Sequence, residues 1–170
     1  MAKKRTFIKQ FLKDRKTVGS VRPSSRFLAE KMLQNVDFNT SKILVELGPG
    51  TGVFTEKIIE KMADDAILLV FELNQNFIRT LRKKIKDKRV VFIYDSAEKI
   101  EEYLNKYNFE RADAIISSLP LFNFPQELRE VIVKNAHKVL KNEGKYIQFQ
   151  YSTQAKKLLE TTFDHVSIAF

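Results

Sequence analysis

From about residue 42 onwards, hydrophobic residues follow two alternating patterns. Short apolar runs of four to seven residues, such as AILLVF and RVVFIY, are separated by longer stretches in which apolar residues recur every three or four positions. Short apolar runs of this kind are typical of buried strands, and the longer period is typical of amphipathic helices. Their regular alternation predicts a parallel sheet with helices on both faces.

The boundaries of the predicted elements follow from the apolar runs and the turn residues between them. Strands are predicted at 42–47, 66–71, 89–94, 112–117, 145–151 and 165–170. Helices are predicted at 53–62, 75–86, 97–107, 126–141 and 153–161. The predicted fold class is α/β with a doubly wound, mostly parallel sheet, in one domain that spans residues 1–170.

Residues 1–40 are predicted to form a basic, helical N-terminal extension of this domain. Within it, residues 5–16 place four apolar side chains on one helical face ringed by Lys and Arg, namely Phe7, Ile8, Phe11 and Leu12. A short basic amphipathic helix can lie in a membrane interface, or it can pack its apolar face on the domain. Both interpretations stay open.

A second helix is predicted between this basic segment and the first strand. Residues 18–23 break the helical period, and Ser24 or Ser25 can then cap a helix that runs to about Val36. Its apolar residues Phe27, Leu28 and Met32 are predicted to face inwards.

The positive charge of the chain is concentrated near its N-terminus. The formal net charge is +9, and residues 1–42 carry 11 Lys or Arg against 3 Asp or Glu, whereas the other 128 residues carry 19 against 18. Such a segment favours an anionic partner, either a nucleic acid or an acidic membrane surface. A solvated arm that only aids solubility is the alternative.

Composition narrows the possible chemistry and location. The chain has no cysteine, which excludes disulfides, thiolate catalysis and Cys-ligated metals, and we predict no metal site. No apolar run approaches the roughly 20 residues that span a bilayer, and the N-terminus lacks the apolar core of a signal peptide. We therefore expect a cytoplasmic protein.

The stretch 45–54, VELGPGTGVF, reads as the end of a strand, a tight glycine turn and the start of a helix. Gly48, Gly50 and Gly52 allow the turn and leave room for a ligand against the backbone. The helix that begins there presents unpaired N–H groups. Glu46, at the end of the strand, suits a cationic amino group, so the pattern predicts a nucleotide-like ligand that carries one.

Polar residues also follow the next three strands. Glu72 comes about twenty residues after Gly52 and can accept hydrogen bonds from ribose hydroxyls, and Asp95 is well placed for an adenine amine. The segment 117–120, SSLP, follows the fourth strand. Each position alone is a common strand-end or helix-cap residue. Four strand ends in phase instead predict a ligand site along the carboxyl edge of the sheet.

A dinucleotide-dependent dehydrogenase also fits the glycine turn and Glu72, since a lone GxGxxG-like match is weak evidence. Glu46, Asp95 and the roughly 42 residues before the first strand argue against it. His137 and His165 fall in or near predicted elements and are predicted to be structural.

The segments VELGPGTGVF, FELN, YDSA and SSLP resemble, in order and spacing, the four motifs of class I S-adenosylmethionine-dependent methyltransferases. The resemblance covers about residues 18–151 and is strongest to bacterial phospholipid N-methyltransferases, which methylate phosphatidylethanolamine. They share the basic helix, the VGSVRPSS stretch and the SxLPL-type fourth motif. The related ribosomal RNA adenine dimethyltransferases have Asn-Leu-Pro-aromatic where this chain has SLPL at 118–121, although Phe122 or Phe124 can supply an aromatic ring.

The resemblance implies a Rossmann-like methyltransferase fold, with S-adenosylmethionine as cofactor and a role for each motif. The implied cofactor-binding residues are Glu46, Gly48, Gly50, Gly52, Glu72, Leu73, Asp95, Ser96 and Ala97. Ser117, Ser118, the Leu119 backbone and Pro120 are implied to face the incoming nucleophile as the catalytic loop. Because the sulfonium is already a strong methyl donor, the enzyme must mainly align the amine and exclude water. No single general base is assigned, and Tyr94 and Tyr151 are further candidates.

The implied function is methylation of a phospholipid head-group amine by a protein peripheral at the inner face of the membrane. The partner is then an anionic membrane surface or the phospholipid itself, bound through basic residues 1–42. The alternatives are an RNA adenine N-methyltransferase, and a cofactor-binding module with little turnover.

One feature departs from the family pattern. The resemblance implies a seventh, antiparallel strand beside the sixth, but the sequence stops at Phe170, in or just after its predicted sixth strand. We expect a sheet short by one strand, self-association or another partner at the incomplete sheet edge, or a sequence that has been cut short.

Overall fold

The computed structural model describes residues 24–150 and 153–168, and the statements on structure below concern these residues. The helices are α1 (Ser24–Leu33), α2 (Val53–Lys61), α3 (Gln75–Lys84), α4 (Ile100–Lys106), α5 (Gln126–Val139) and α6 (Lys156–Thr162). The strands are β1 (Ile43–Leu47), β2 (Ile67–Phe71), β3 (Val90–Ile93), β4 (Ala112–Ser117) and β5 (Leu140–Gln148). Short 3₁₀ turns at Ala97–Lys99, Leu121–Asn123 and Thr153–Ala155 join them.

The five strands form one parallel sheet in the order β3-β2-β1-β4-β5. β1 lies between β2 and β4, so that Val45 pairs with Leu69 on one side and Ile115 on the other. The chain winds outwards from β1 in one direction and then in the other, which confirms the predicted doubly wound α/β class. Ligands of such sheets bind at the carboxyl ends of the strands where this reversal occurs.

The sheet is covered on both faces, and its alternate residues contribute to two apolar clusters. On one face Val45, Leu69 and Ile115 pack with residues of α4 and α5. On the other, Leu44 and Leu68 pack with residues of α1 and α2. A strand that is buried on both faces must be apolar at successive positions, which explains the continuous runs in the sequence.

Arg89 closes the C-terminal end of α2 from the neighbouring turn. Its guanidinium donates hydrogen bonds to the carbonyl oxygens of Met62 at 3.0 Å, Ala63 at 3.2 Å and Ile59 at 3.3 Å. The carboxylate of Asp87 holds the same guanidinium at 2.6 Å, and this hydrogen bond lowers the pKa of Asp87. Carbonyl groups at a helix end lack intrahelical partners, so one side chain stabilises the whole turn between α2 and β2.

The N-terminal helix differs from its prediction. It ends at Leu33 rather than about Val36, and Phe27, predicted to face inwards, is 76% exposed. Ala29 and Leu33, one helical turn apart, are the buried residues through which α1 packs on the domain. The prediction that Phe27 is a core residue is wrong, because Phe27 lies two positions before the buried Ala29 and thus on the opposite side of the helix.

The region around β5 also differs from its prediction. α5 ends at Val139, and β5 begins at Leu140 rather than at 145. Leu140 pairs with Ala112 and Lys145 pairs with Ala114, so the intervening residues of β5 bulge out of the register. The bulged residues 141–144 are polar or glycine, so they lie outside the apolar run from which the strand was predicted.

The predicted sixth strand is wrong for its described part. Residues 165–168 form no strand, and Ile168 is 43% exposed. The ring of Phe163 instead stacks on Tyr146 of β5, with the centroids 5.0 Å apart. Several predicted features lie outside the described residues, namely the basic helix at 5–16, the break at 18–23, Tyr151 and residues 169–170. The division of the chain into an N-terminal extension at 1–40 and a domain therefore stays a prediction. No described helix is long and apolar enough to cross a bilayer.

Replacing Arg89 with Met should lower the free energy of unfolding by about 1–3 kcal/mol, because three carbonyl groups at the end of α2 each lose a hydrogen bond from the guanidinium. Chemical denaturation measures the loss. Arg79→Met, at an exposed position of α3, is the matched control and should change stability by less than about 0.5 kcal/mol. Equal stabilities for the two variants would show that Arg89 does not support the turn.

Candidate active site

The glycine turn between β1 and α2 is left-handed at three positions. Gly48, Gly50 and Gly52 have φ values of 73°, 56° and 89°, which other residues rarely adopt. The N–H of Gly48 donates to the carbonyl of Phe71 at 2.9 Å, which fixes the turn against the end of β2. A Cβ atom on Gly50 would meet nothing within 4 Å, whereas one on Gly52 would lie 2.5 Å from the buried Leu81. Gly50 therefore borders open space, and Gly52 permits close packing with α3.

Glu72 connects this turn to the end of β2. Its side chain is almost fully buried, and its Oε1 accepts from the N–H of Asn74 at 2.8 Å. Its Oε2 accepts a long hydrogen bond of 3.4 Å from the N–H of Gly50. The carboxylate thus lies beside the open side of the turn, where the predicted ribose hydroxyls would be.

Glu46 is a fully buried acid at the end of β1. It is 0% exposed, and neither of its carboxylate oxygens has a hydrogen-bond partner in the part of the chain that the structure describes. Burial raises the pKa of Glu46 to about 8. The hydroxyl and the backbone N–H of Thr55 lie close enough to oppose this rise although neither forms a hydrogen bond of normal geometry with the carboxyl group, and the negative charge of Glu72 adds to it. An unpaired buried carboxylate is costly. A cationic ligand group beside the glycine turn would remove that cost.

Two hydroxyl groups are likewise buried without a hydrogen-bond partner among the described residues. They are Thr55 Oγ1 and Ser118 Oγ. Glu46 pairs with Ile116 across β1 and β4, and Ser118 follows Ile116 by two residues. Because side chains alternate along a strand, Glu46 and Ser118 lie on the same face at neighbouring strand ends. Thr55, on α2, was not singled out from the sequence.

Asp95, after β3, is held by three donors. Its Oδ1 accepts from the N–H of Ser96 at 2.8 Å, and its Oδ2 accepts from Lys99 Nζ and the Tyr103 hydroxyl, both at 3.0 Å. Burial would raise the pKa of Asp95, but these hydrogen bonds together lower it, so the carboxylate is ionised. Lys99 and Tyr103 were not singled out from the sequence, although they lie four and eight residues after Asp95, a spacing that places side chains on one helical face.

The other predicted residues of the second and third motifs lie beside these acids. Leu73 is half-buried directly after Glu72, and Ala97 is 7% exposed. Ser96 caps the 3₁₀ turn, its hydroxyl accepting from the N–H of Glu98 at 3.3 Å. Their contacts with a cofactor stay predictions.

The loop 117–120 begins at the carboxyl end of β4. Ser117 is fully buried, and its hydroxyl accepts from the N–H of Leu119 at 3.3 Å. The N–H of Ser118 donates to the carbonyl of Leu47 at 2.9 Å, which holds the loop beside the end of β1. After Pro120, Leu121 is buried in the core and Phe122 is 50% exposed. Of the two candidate aromatic rings, Phe122 is the more exposed, since Phe124 packs partly against the core.

The four strand ends lie in a row. From β3 to β4 the order in space is Asp95, Glu72, Glu46 with the glycine turn, and Ser118. Adjacent strands lie about 4.8 Å apart, so the row extends over about 14 Å. A ligand with adenine, ribose and amino-acid parts in sequence matches this order of an adenine acceptor, a ribose acceptor and an unpaired acid. The residues present therefore fit S-adenosylmethionine.

Other candidate groups do not join this row. The ring of His137 on α5 packs edge-on against Phe163, with the centroids 5.2 Å apart, and His165 is exposed. Tyr94 is 54% exposed after β3. Across residues 24–150 and 153–168, no cluster of His, Asp or Glu suits a metal ion.

Comparison with known proteins identifies the family to which this geometry belongs. The family model described as a methyltransferase domain matches residues 44–144, more than half of the chain. The chain is 26% identical over 166 residues to an ornithine lipid N-methyltransferase of Singulisphaera acidiphila, a match that covers 96% of this chain and 86% of that protein.

A second relative has a different acceptor in its name. The chain is 31% identical over 112 residues to ribosomal RNA small subunit methyltransferase A of Mesomycoplasma hyopneumoniae strain J, covering 66% of this chain and 36% of that protein. Among solved structures, a precorrin-6y C5,15-methyltransferase of Geobacter metallireducens superposes with a TM-score of 0.63 at 13% identity, covering 85% of this chain and 70% of that one. This last likeness supports the fold alone.

Glu46→Gln should stabilise the cofactor-free protein at alkaline pH and weaken cofactor binding. The unfolded chain ionises Glu46 near its ordinary pKa of 4.5, while the folded chain retains the proton up to about pH 8. The contribution of neutral Glu46 to the free energy of unfolding is therefore fully present below pH 4.5 and is lost as the pH rises through 8. Urea denaturation should show the variant more stable than the native chain at pH 8 and equally stable at pH 4.5.

The binding half of this prediction is measured by calorimetric titration with S-adenosylhomocysteine, which retains the amino group. Glu110→Gln, at an exposed position between α4 and β4, is the matched control and should alter neither stability nor affinity. A Glu46→Gln variant with native affinity would show that Glu46 does not meet the amino group of the cofactor.

Glu72→Ala should weaken the binding of S-adenosylmethionine by about 1–3 kcal/mol, the cost of leaving ribose hydroxyls without an acceptor. Glu72→Gln retains an oxygen for the N–H of Asn74 and separates loss of the ribose contact from disturbance of the turn. Calorimetric titration should show that the native chain binds S-adenosylmethionine and not NAD. Unchanged affinity in the Ala variant would place the ribose elsewhere.

Proposed function

The chain belongs to the family of methyltransferase domains and uses S-adenosylmethionine as methyl donor, and from this premise we propose that it methylates the primary amine of a lipid head group. Phosphatidylethanolamine is the expected acceptor. Ornithine lipid, named for the Singulisphaera relative, is a second acceptor of the same chemical class.

The extent of the sequence matches is the observation that carries this proposal. The match to the lipid N-methyltransferase covers 96% of this chain and 86% of that protein, so it extends over the N-terminal region as well as over the strand ends of the row. The chain spans about a third of the length of the ribosomal RNA relative, and the match covers two thirds of this chain. Similarity over most of the length of both proteins favours a shared type of acceptor more than similarity that leaves a large part of the relative unmatched.

Each acidic residue of the row has a distinct task in cofactor binding. Glu46 would pair with the ammonium group, Glu72 would accept from the ribose hydroxyls, and Asp95, held ionised by Lys99 and Tyr103, would accept from the adenine amine. The bound cofactor supplies a methyl group on a cationic sulfur. These residues would hold the cofactor with its amino-acid part beside Glu46 on β1, the strand next to β4.

The loop after β4 orients the acceptor. Ser118 Oγ is buried without a described partner, and it would accept a hydrogen bond from the incoming amine. A head-group amine must lose its proton before its lone pair can attack, and a dry site favours the neutral amine by disfavouring the ammonium form. Alignment of that lone pair with the methyl group, together with exclusion of water, supplies the catalysis.

Binding to the membrane surface is part of the proposal. Residues 1–42 carry a net positive charge that would attract an anionic bilayer, placing the protein in the cytoplasm and at the inner face of the membrane. Each basic residue close to such a surface contributes about 1 kcal/mol. Self-association would occur at β5, which pairs within the described sheet only with β4.

Methylation of an RNA adenine is the second candidate. Its supports are the 31% identity to the ribosomal RNA enzyme and the half-exposed ring of Phe122, two residues after Pro120, on which a base could stack. The Asn of the corresponding RNA motif is Ser118 here, and the following aromatic is the buried Leu121.

The deciding experiment offers S-adenosylmethionine with a labelled methyl group to vesicles and to RNA in parallel. The vesicles contain phosphatidylethanolamine or ornithine lipid, each with and without an anionic phospholipid, and the RNA is small-subunit ribosomal RNA. We expect counts in the aminolipids, with a faster rate when anionic lipid is present, and none in RNA.

The other outcomes contradict the proposal in different ways. Counts in RNA alone would establish the second candidate. Counts in neither acceptor, with normal cofactor binding, would indicate a binding module with little turnover. The Glu72→Ala variant serves as control, because it should lose counts in whichever acceptor the native chain uses.

A further inference from the structure

Gln148 lies at the end of β5, beside the loop 117–120 that follows β4 and is called the acceptor loop. β5 runs parallel to β4 with Gln148 paired to Ser117, so its side chain lies on the same face as that of Ser117. The Nε2 atom of Gln148 donates to the carbonyl oxygens of Leu119 and Phe149, each at 2.8 Å. Both N–H groups of this amide are therefore used on backbone carbonyls.

Tyr146 fixes the other end of the same amide. Its hydroxyl donates to Oε1 of Gln148 at 2.8 Å, and its ring stacks on Phe163. Burial raises the pKa of Tyr146, so the hydroxyl stays protonated and remains a donor. A reversed amide would turn its oxygen towards two carbonyls, so the hydrogen-bond pattern permits one orientation only.

The carbonyl of Leu119 is the target of this arrangement. Besides Gln148, it accepts from the N–H of Leu121 at 2.8 Å, which fills both of its lone pairs. The following residue, Pro120, has a fixed φ and no N–H, so the course of the loop at this point depends on where the Leu119 carbonyl is held. The hydroxyl of Ser118, one residue earlier, is then the acceptor that the loop presents from a buried position.

We propose that Gln148, oriented by Tyr146, is a positioning residue of the acceptor loop. It holds the Leu119 carbonyl, and thereby places the Ser118 hydroxyl where the incoming amine must be aligned with the methyl group. This inference rests on the proposed function only in taking the loop as the acceptor site. It applies to either acceptor, lipid amine or RNA.

Steady-state kinetics of methyl transfer, together with cofactor titration, test the role. Gln148→Leu preserves the size of the side chain but removes the donor, and it should lower kcat by about 10- to 100-fold because a small misplacement is costly in an alignment-dependent reaction. Tyr146→Phe should lower kcat less. The affinity for S-adenosylhomocysteine should stay native in both variants. Gln126→Leu, at an exposed position of α5, is the matched control and should retain native kcat.

Gln148→Glu adds a pH signature that a merely structural role would not produce. Ionised, the new carboxylate would face the Leu119 carbonyl without a donor; protonated, it would again donate one hydrogen bond there. The ratio of its kcat to that of the native chain should therefore rise as the pH falls. A ratio that is constant with pH, or native kcat in Gln148→Leu, would overturn the positioning role.

Amide hydrogen exchange provides a readout that needs no acceptor. The N–H groups of Leu119 and Leu121 should exchange faster in Gln148→Leu than in the native chain or in Gln126→Leu, since their loop loses its anchor. Unchanged exchange would overturn the inference. A native chain that methylates neither lipid nor RNA would refute the proposed function, whereas an active native chain matched by Gln148→Leu would refute the positioning role alone.

Discussion

The central position of β1 is the constraint on which the site depends. Because β1 pairs with β2 and β4, its carboxyl end lies where the chain departs towards opposite faces of the sheet. The turn that leaves this end must use left-handed backbone at three glycines, and its open side then borders Glu72 on the neighbouring strand. The row of polar groups along the sheet edge follows from that one pairing.

The acids of this row differ in their hydrogen-bond partners and in the direction of their pKa shifts. Asp95 is ionised because three donors hold it, whereas Glu46 is buried without a described partner and has a raised pKa. A fold retains an unpaired buried acid at the expense of stability, and such residues cluster where a protein binds or reacts. In the cofactor-free protein, the buried carboxyl group without a described hydrogen-bond partner therefore lies at the strand end where a cationic group would bind.

The acceptor loop depends on a second layer of residues. Ser118 is held from one side by the carbonyl of Leu47, and the next residue is held from the other side by Gln148. Neither contact involves a reacting atom. Both arise because β4 lies between β1 and β5, so the loop that follows it can be anchored from two neighbouring strands. The position of the loop that would align an acceptor amine therefore depends on the pairing of β4 with both β1 and β5.

Local apolar periodicity and short motifs encode the succession of strands and helices, the glycine turn and the acids at the strand ends, so these features could be predicted without a structure. Prediction from the sequence was wrong for the burial of Phe27, for the start of β5 and for a strand at residues 165–168, because these features depend on which strands pair and which side chains pack together. The hydrogen bonds from Tyr103 to Asp95 and from Gln148 to the Leu119 carbonyl became evident from the folded chain and were not predicted from the sequence. A hydrogen bond between residues 29 positions apart leaves no local pattern, since it exists only when the sheet has brought two strand ends together.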